Sequence, residues 1–316
     1  MPSPTASEKR LRLGVSARLG VGPQPQVKKE ISMRKLFIIG VMALGSLLIA
    51  HAQITGQTPV PTQAPTGPTP RTPSGHPDFS GVWQRPYTPD MTRNGRGQVG
   101  YAEPPFSSTD APATREDMRK AGNYAELPFT PAGLEDWKTY DPTNGDYTGS
   151  CLPFGMSRSM NSPDPLQIMQ SDKYIGLLFE QNSWFHIVKL NREHSKNPEP
   201  TWFGESVGRW DGDTLVVDTI GFNGNTRLDT IGHPHSDALH MVQTFNRTDA
   251  GHIAYTVTID DPKAYTKPWK NTRTFTLMST EVLEYSCEEN NKDLRNGHIK
   301  FWAPPAKPKY PPSVVR

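Results

Sequence analysis

The chain has 316 residues, with 34 Lys/Arg against 32 Asp/Glu, 32 Pro, 26 Gly and 2 Cys. Eight of the basic and two of the acidic residues lie in residues 1–52, which leaves the rest with a formal net charge of −4. An acidic remainder offers no basic face to nucleic acid or to an anionic membrane, so neither is expected as a partner.

Met33-Arg34-Lys35 precedes an apolar run from Leu36 to Ala50, which ends in Ala50-His51-Ala52. A basic start, a short apolar core and an A-x-A end make residues 33–52 a secretory signal peptide, cleaved after Ala52. The run is short for a membrane span, and no Cys follows the cleavage point to carry a lipid. The expectation is a periplasmic or secreted protein with no transmembrane anchor after cleavage. Residues 1–32 exceed what a signal's basic start requires. Val27-Lys28-Lys29-Glu30, whose Lys and Glu codons are purine-rich, stands before Met33 as a translated ribosome-binding site would. Residues 1–32 therefore read as a mis-called upstream extension. Residues 53–75 are Thr, Pro and Gly with almost no large apolar side chain, the composition of a disordered tether.

Residues 76–302 hold nearly all the aromatic side chains and read as one β-rich domain, followed by a Pro-rich tail over 303–316. Two short helices are expected in its N-terminal part. One covers 115–120; the other opens on Thr130-Pro131, an N-cap followed by Pro at the first helical position, and runs through Trp137. Cys151 and Cys287 are the only cysteines, and in an exported chain an isolated pair reads as a disulfide. After 165 the pattern turns to strands, expected over 174–180, 184–190, 201–210, 213–219, 238–246, 253–260, 272–278 and 281–287. The alternation of Ile253, Tyr255, Val257 and Ile259 with smaller or polar neighbours is the clearest period-2 signal. Short connections between successive strands predict an antiparallel up-and-down meander, closed as a barrel or, alternatively, folded as a β-sandwich.

Asp211-Gly212 between two strand-like runs predicts a type I′ hairpin. That register sets Trp210 opposite Asp213, Val207 opposite Val216 and Glu205 opposite Asp218. Two facing carboxylates need neutralising, by Arg209 on the same face, a proton, a metal or a substrate. With His235 they form a candidate acid–base set: Glu205, Asp218, Arg209 and His235. The alternative is a solvated pair at a strand end, or a bulged register. Gly204-Glu205-Ser206-Val207-Gly208 matches the G-x-S-x-G nucleophile elbow, which requires a strand-to-helix turn. Here Ser206 falls inside a predicted strand that leads to another strand, so a serine hydrolase is not expected. His233, His235, His240 and Asp237 cluster in one loop, yet their spacing matches no zinc signature, and neither a metal nor a cofactor is expected.

Several segments carry a resemblance: Pro77-Asp78-Phe79-Ser80-Gly81-Val82-Trp83, the Cys151/Pro153/Gly155 stretch, Gly204 to Gly221, His235 to Leu239, Asp261 to Trp269 and Tyr285 to Asn290. Together they are similar to a family of exported bacterial proteins of unknown function, over most of 76–302. The resemblance implies export and the extent of the domain and supplies no reaction. Gln243, where that family has Glu, and His186, where it has Arg, depart from its pattern. Gly81-Val82-Trp83 also resembles the Gly-x-Trp near the first strand of lipocalin-like barrels, which favours the barrel over the sandwich.

Three functions stay open at this level. The leading one is binding of a small, partly apolar ligand in a closed cavity, with Trp184, Trp202, Trp210 and Trp269 as candidate wall residues. An exported hydrolase or isomerase requires the carboxylates and a histidine in one cleft. A structural or interaction module requires an exposed apolar patch.

Overall fold

The computed structural model describes residues 64–94, 98–99, 127–141, 146–289, 291–304 and 310. The expected signal peptide, the expected helix over 115–120 and most of the tail lie outside the described residues. The strands are β1 (Gly81–Gln84), β2 (Arg93–Asn94), β3 (Gln98–Val99), β4 (Leu166–Gln170), β5 (Tyr174–Phe179), β6 (Phe185–Leu190), β7 (Glu205–Asp211), β8 (Thr214–Ile220), β9 (His240–Arg247), β10 (His252–Asp260) and β11 (Trp269–Met278). The helices are α1 (Pro131–Thr139), α2 (Gly155–Asn161) and α3 (Lys292–Arg295). Nine strands close a barrel in the order β1-β11-β10-β9-β8-β7-β6-β5-β4, while β2 and β3 form a separate ribbon.

An odd number of strands cannot alternate direction all the way around a closed ring, so one neighbouring pair must run parallel. That pair is β6 and β7, with Val188 beside Ser206 and Leu190 beside Gly208; every other barrel pair is antiparallel. The purely antiparallel meander is thus corrected at one seam. A parallel pair cannot be joined by a tight turn, so residues 191–204 must return along the outside of the barrel. The strand expected over 201–210 accordingly begins at Glu205, after an isolated bridge between Thr201 and Phe222.

The β7–β8 hairpin turns on Gly212-Asp213, not on Asp211-Gly212: Asp211 pairs with Thr214 and Val207 with Asp218. Gly212 has φ +57° and Asp213 is not in the left-handed region. One positive φ, at a glycine in the first turn position, is the type II′ requirement, whereas I′ needs two. The expected register is therefore off by two residues. Because side chains alternate with period 2, a shift of two leaves every residue on its face.

Inward-facing side chains fill the barrel. Tyr255, Phe245 and Phe275 pack within 6.4 Å of one another, and Phe79, Ile168, Ile175, Leu177, Val188 and Val217 are all essentially buried. At one end, Trp83 donates from Nε1 to Phe79 O at 2.9 Å and lies under the Arg247 guanidinium, 5.0 Å away. Arg247 also donates to Asp78 O and Ala250 O, which ties the entry segment across that end. Residues 64–75, the described part of the stretch 53–75 expected as a tether, lie there as well. Thr69 donates to Arg247 O at 2.8 Å, Arg71 pairs with Asp213 at 2.6 Å, and Ala250 N donates to Gly67 O. Backbone and ion-pair contacts hold this stretch, where its apolar content is too low to do so.

The opposite end is plugged by α2, all seven residues of which are buried. Helix α1 starts as expected, with Thr130 accepting from Gly133 N and Pro131 at its first position. The stretch 281–287 is not a strand but an irregular strap. Its amides bond to side chains of the β5–β6 turn: Leu283 N to Glu180 Oε2 and Cys287 N to Asn182 Oδ1, both at 2.8 Å. The Cys151–Cys287 disulfide anchors it across a sequence separation of 136. Closing so long a loop stabilises by about 5 kcal/mol in the chain-entropy model. Replacing both cysteines by serine is expected to lower unfolding free energy in urea by about 3–5 kcal/mol; a loss under 1 kcal/mol would contradict this.

Candidate functional site

The two predicted carboxylates share a face, but it is the outer face of the barrel. Glu205 and Asp218 sit diagonally across the β7–β8 pair, and His194 from the 191–204 crossover lies between them. His194 Nδ1 is 3.3 Å from Glu205 Oε1, and His194 Nε2 is 2.9 Å from Asp218 Oδ1. The first residue of β9, His240, places Nε2 2.9 Å from Asp218 Oδ2. Ser195 donates to Glu205 from its backbone N at 2.7 Å and from its hydroxyl at 2.6 Å, and Lys189 stands 3.6 Å away. Arg209 is exposed and makes no ion pair among the described residues, so Lys189, Ser195 and His194 do the neutralising expected of it.

These bonds tie the crossover to the barrel wall as a latch, and they also set the charge of its carboxylates. The Ser195 hydroxyl, followed by its amide and by His194, holds Glu205 down to about 2. The His240 bond, with His194 behind it, holds Asp218 below its ordinary range, and Asp218 in turn raises His240. Both carboxylates stay ionised at neutral pH and pin the crossover to the barrel wall.

His235 is not part of this cluster. It is buried, with Nε2 2.5 Å from Thr226 Oγ1 and Nδ1 3.0 Å from Ser236 O, and burial lowers its basicity. It therefore braces the 221–239 loop. In the same loop His233 Nδ1 lies 2.6 Å from Asp229 Oδ2, and Asp90 stands close by, a buried grouping with metal-ligand spacing. Asp229 already accepts from the amides of Met91, Gly232 and His233, so it staples two loops together.

Ser206 does meet a histidine. Its hydroxyl lies 2.7 Å from His186 Nε2 and 2.7 Å from Thr219 Oγ1, with all three facing the lumen. Burial pushes His186 down to about 4, so it stays neutral. Ser206 is buried in mid-strand with no turn to present it, which removes the nucleophile-elbow reading.

The four tryptophans do not surround one cavity. Trp269 is core, Trp202 stacks on Tyr147 outside the barrel, and Trp210 stacks on His76 and Phe79 at one end. The apolar lumen between Phe79, Ile175, Leu177, Val217 and Phe245 leaves no room for a water-sized molecule, so the expected closed cavity is corrected: side chains occupy it. Trp184 instead lines an open cleft of about 400 Å³ on the outer wall. The β5–β6 hairpin supplies Leu178, Phe185 and Ile187, and the strap supplies Val282 and Leu283. Phe185 and Leu283 are 67% and 70% exposed. The buried Nε1 of Trp184 has no hydrogen-bond partner.

No family model matches the chain, and no curated protein matches it. Among the described residues, no helix is long and apolar enough to cross a membrane.

His194 and Ser195 were missed because nothing near them in sequence marks them; the crossover brings them to the carboxylates. The latch has a definite pH signature. Glu205 and Asp218, depressed in the folded state, contribute stability above their unfolded values near pH 4, lost as pH falls through the folded ones. His240, raised, contributes fully below its unfolded value near 6.5, lost as pH rises through the folded one. The latch is therefore tightest between about pH 4.5 and 6.5. An NMR titration is expected to find His240 above its ordinary value, with Asp218→Asn returning it; a His240 titrating at or below 6.5 in the unaltered protein would contradict the latch.

Proposed function

We propose that this chain is an exported protein that binds a small, mostly apolar molecule in the cleft between the β5–β6 hairpin and the 281–287 strap. The observation that carries the reading is the cleft itself. Its volume falls in the range of small-molecule sites, about 300–1,000 Å³, and its lining is mostly apolar, with Glu180 and Ser183 as its polar members. The ligand class follows from that lining: a predominantly aliphatic or aromatic body.

Export is supported by the leader-like segment over 33–52 and by the disulfide, which persists in oxidising compartments. The Gly-x-Trp likeness to lipocalins enters here as a shared way of starting a barrel. In those barrels the lumen holds the ligand, whereas in this one the proposed seat is outside the wall.

Native mass spectrometry of the protein purified after export, without added ligand, is expected to show a mass excess that denaturation removes. Leu283→Asp puts a charge in the exposed apolar wall of the cleft and is expected to weaken retention by about 10- to 100-fold. Trp184→Phe removes part of the aromatic wall and is expected to weaken retention by about 2- to 10-fold. An excess retained in full by both variants would overturn the cleft as the seat.

A further inference from the structure

Two arginines point into the barrel from the plugged end, Arg85 just after β1 and Arg273 in β11, and both are buried. Arg85 donates to Ser159 O and, at 2.5 Å, to Asp164 O. Arg273 donates to Met160 O at 3.2 Å and to Asn161 Oδ1 at 2.5 Å. These contacts seat the final carbonyls of α2, where a helix presents its negative end. They do not neutralise two charges. Among the described residues neither guanidinium has a carboxylate partner, and Arg85 Nε, Arg273 Nε and Arg273 Nη2 are buried donors without acceptors.

The only carboxylate among the described residues that acts on them is that of Asp164, which offsets part of the Arg85 charge from beyond ion-pair distance, and the Tyr255 hydroxyl interacts with Arg273. Tyr255 lies under Arg273, with 5.0 Å between the guanidinium carbon and the ring centre, and its hydroxyl accepts from Gln243 Nε2 at 2.9 Å. That leaves the Tyr255 proton free to donate. Burial, followed by the charge of Arg273, pushes Arg85 down to about 9 against the opposing pull of Asp164. A bare buried cation is costly, and two side by side more so. A trapped water would satisfy one donor and leave both charges standing.

We propose that the plugged end of the barrel binds a compact monovalent anion, held jointly by the unpartnered N–H groups of Arg85 and Arg273 with the Tyr255 hydroxyl beside them. The apolar half of the lumen has no space for a tail, which limits the occupant to a halide or a short carboxylate. Both present the same chemistry, one negative charge that accepts several N–H bonds. The site is independent of the outer cleft and of its proposed ligand.

The test is thermal unfolding at constant ionic strength while chloride or acetate replaces gluconate, which is too large to enter. A saturable rise of about 5–10 °C is expected once the anion reaches roughly 100 times its dissociation constant. A response to chloride alone identifies a halide site, and a response to acetate a carboxylate site. Gln243→Glu places a carboxylate beside Tyr255 and the arginines. It is expected to unfold at a higher temperature than the unaltered protein in gluconate and to lose the anion response. A bromide-soaked crystal gives a readout independent of stability: anomalous density between Arg85 and Arg273 is expected for a halide. Unfolding temperatures indifferent to chloride and acetate would overturn the proposal, as would an undiminished anion response in Gln243→Glu.

Discussion

The constraint on which the rest of the structure depends is the parity of the barrel. Nine strands closed into a ring force one parallel seam, and the chain places it between β6 and β7. The seam requires a segment that runs from one end of the barrel to the other along the outside, which is the task of residues 191–204. A crossover with few apolar side chains needs polar fastening, and His194 and Ser195 provide it by bonding Glu205 and Asp218. Gly208 serves the same seam. A Cβ there would come within 2.7 Å of a Leu190 methyl and 2.9 Å of a Val188 methyl, so any side chain at this position would have to displace them for β7 to close against β6.

Closure also governs what the interior can do. At one end Trp83, Phe79 and Arg247 cross-brace the entry segment; at the other, α2 fills the opening. Between them apolar side chains leave no passage, and the polar interior groups divide into two islands. Ser206, Thr219 and His186 satisfy one another, whereas Arg85 and Arg273 satisfy carbonyl oxygens and keep their charge. Space for a neutral molecule arises outside, where the disulfide and the side chains of Glu180 and Asn182 hold the strap over the β5–β6 wall.

Much of this was legible in the sequence wherever the signal is local. Alternation marked β10 and most of its neighbours, Thr130-Pro131 marked the start of α1, and the lone cysteine pair marked the disulfide. What failed was non-local. The Asp-Gly dipeptide suggested a I′ turn, but Gly212 took the one left-handed position the hairpin needed, and the register moved by two. The face shared by Glu205 and Asp218 survived because the error was even. The strap at 281–287 has strand-like composition, yet its amides bond to side chains instead of a ladder. Residues 64–75 look like a tether by composition, since backbone and ion-pair contacts leave no apolar trace. No spacing rule links Glu205 to His194 or Arg85 to Arg273; only the closed ring does.

The most direct measurement is the set of inter-strand backbone nuclear Overhauser effects across β6 and β7 in the isotopically labelled protein. The account predicts contacts in a parallel pattern that join Val188 to Ser206, Lys189 to Val207 and Leu190 to Gly208. An antiparallel pattern, or no contacts between these strands, would contradict the parallel seam and with it the origin assigned to the crossover and its latch.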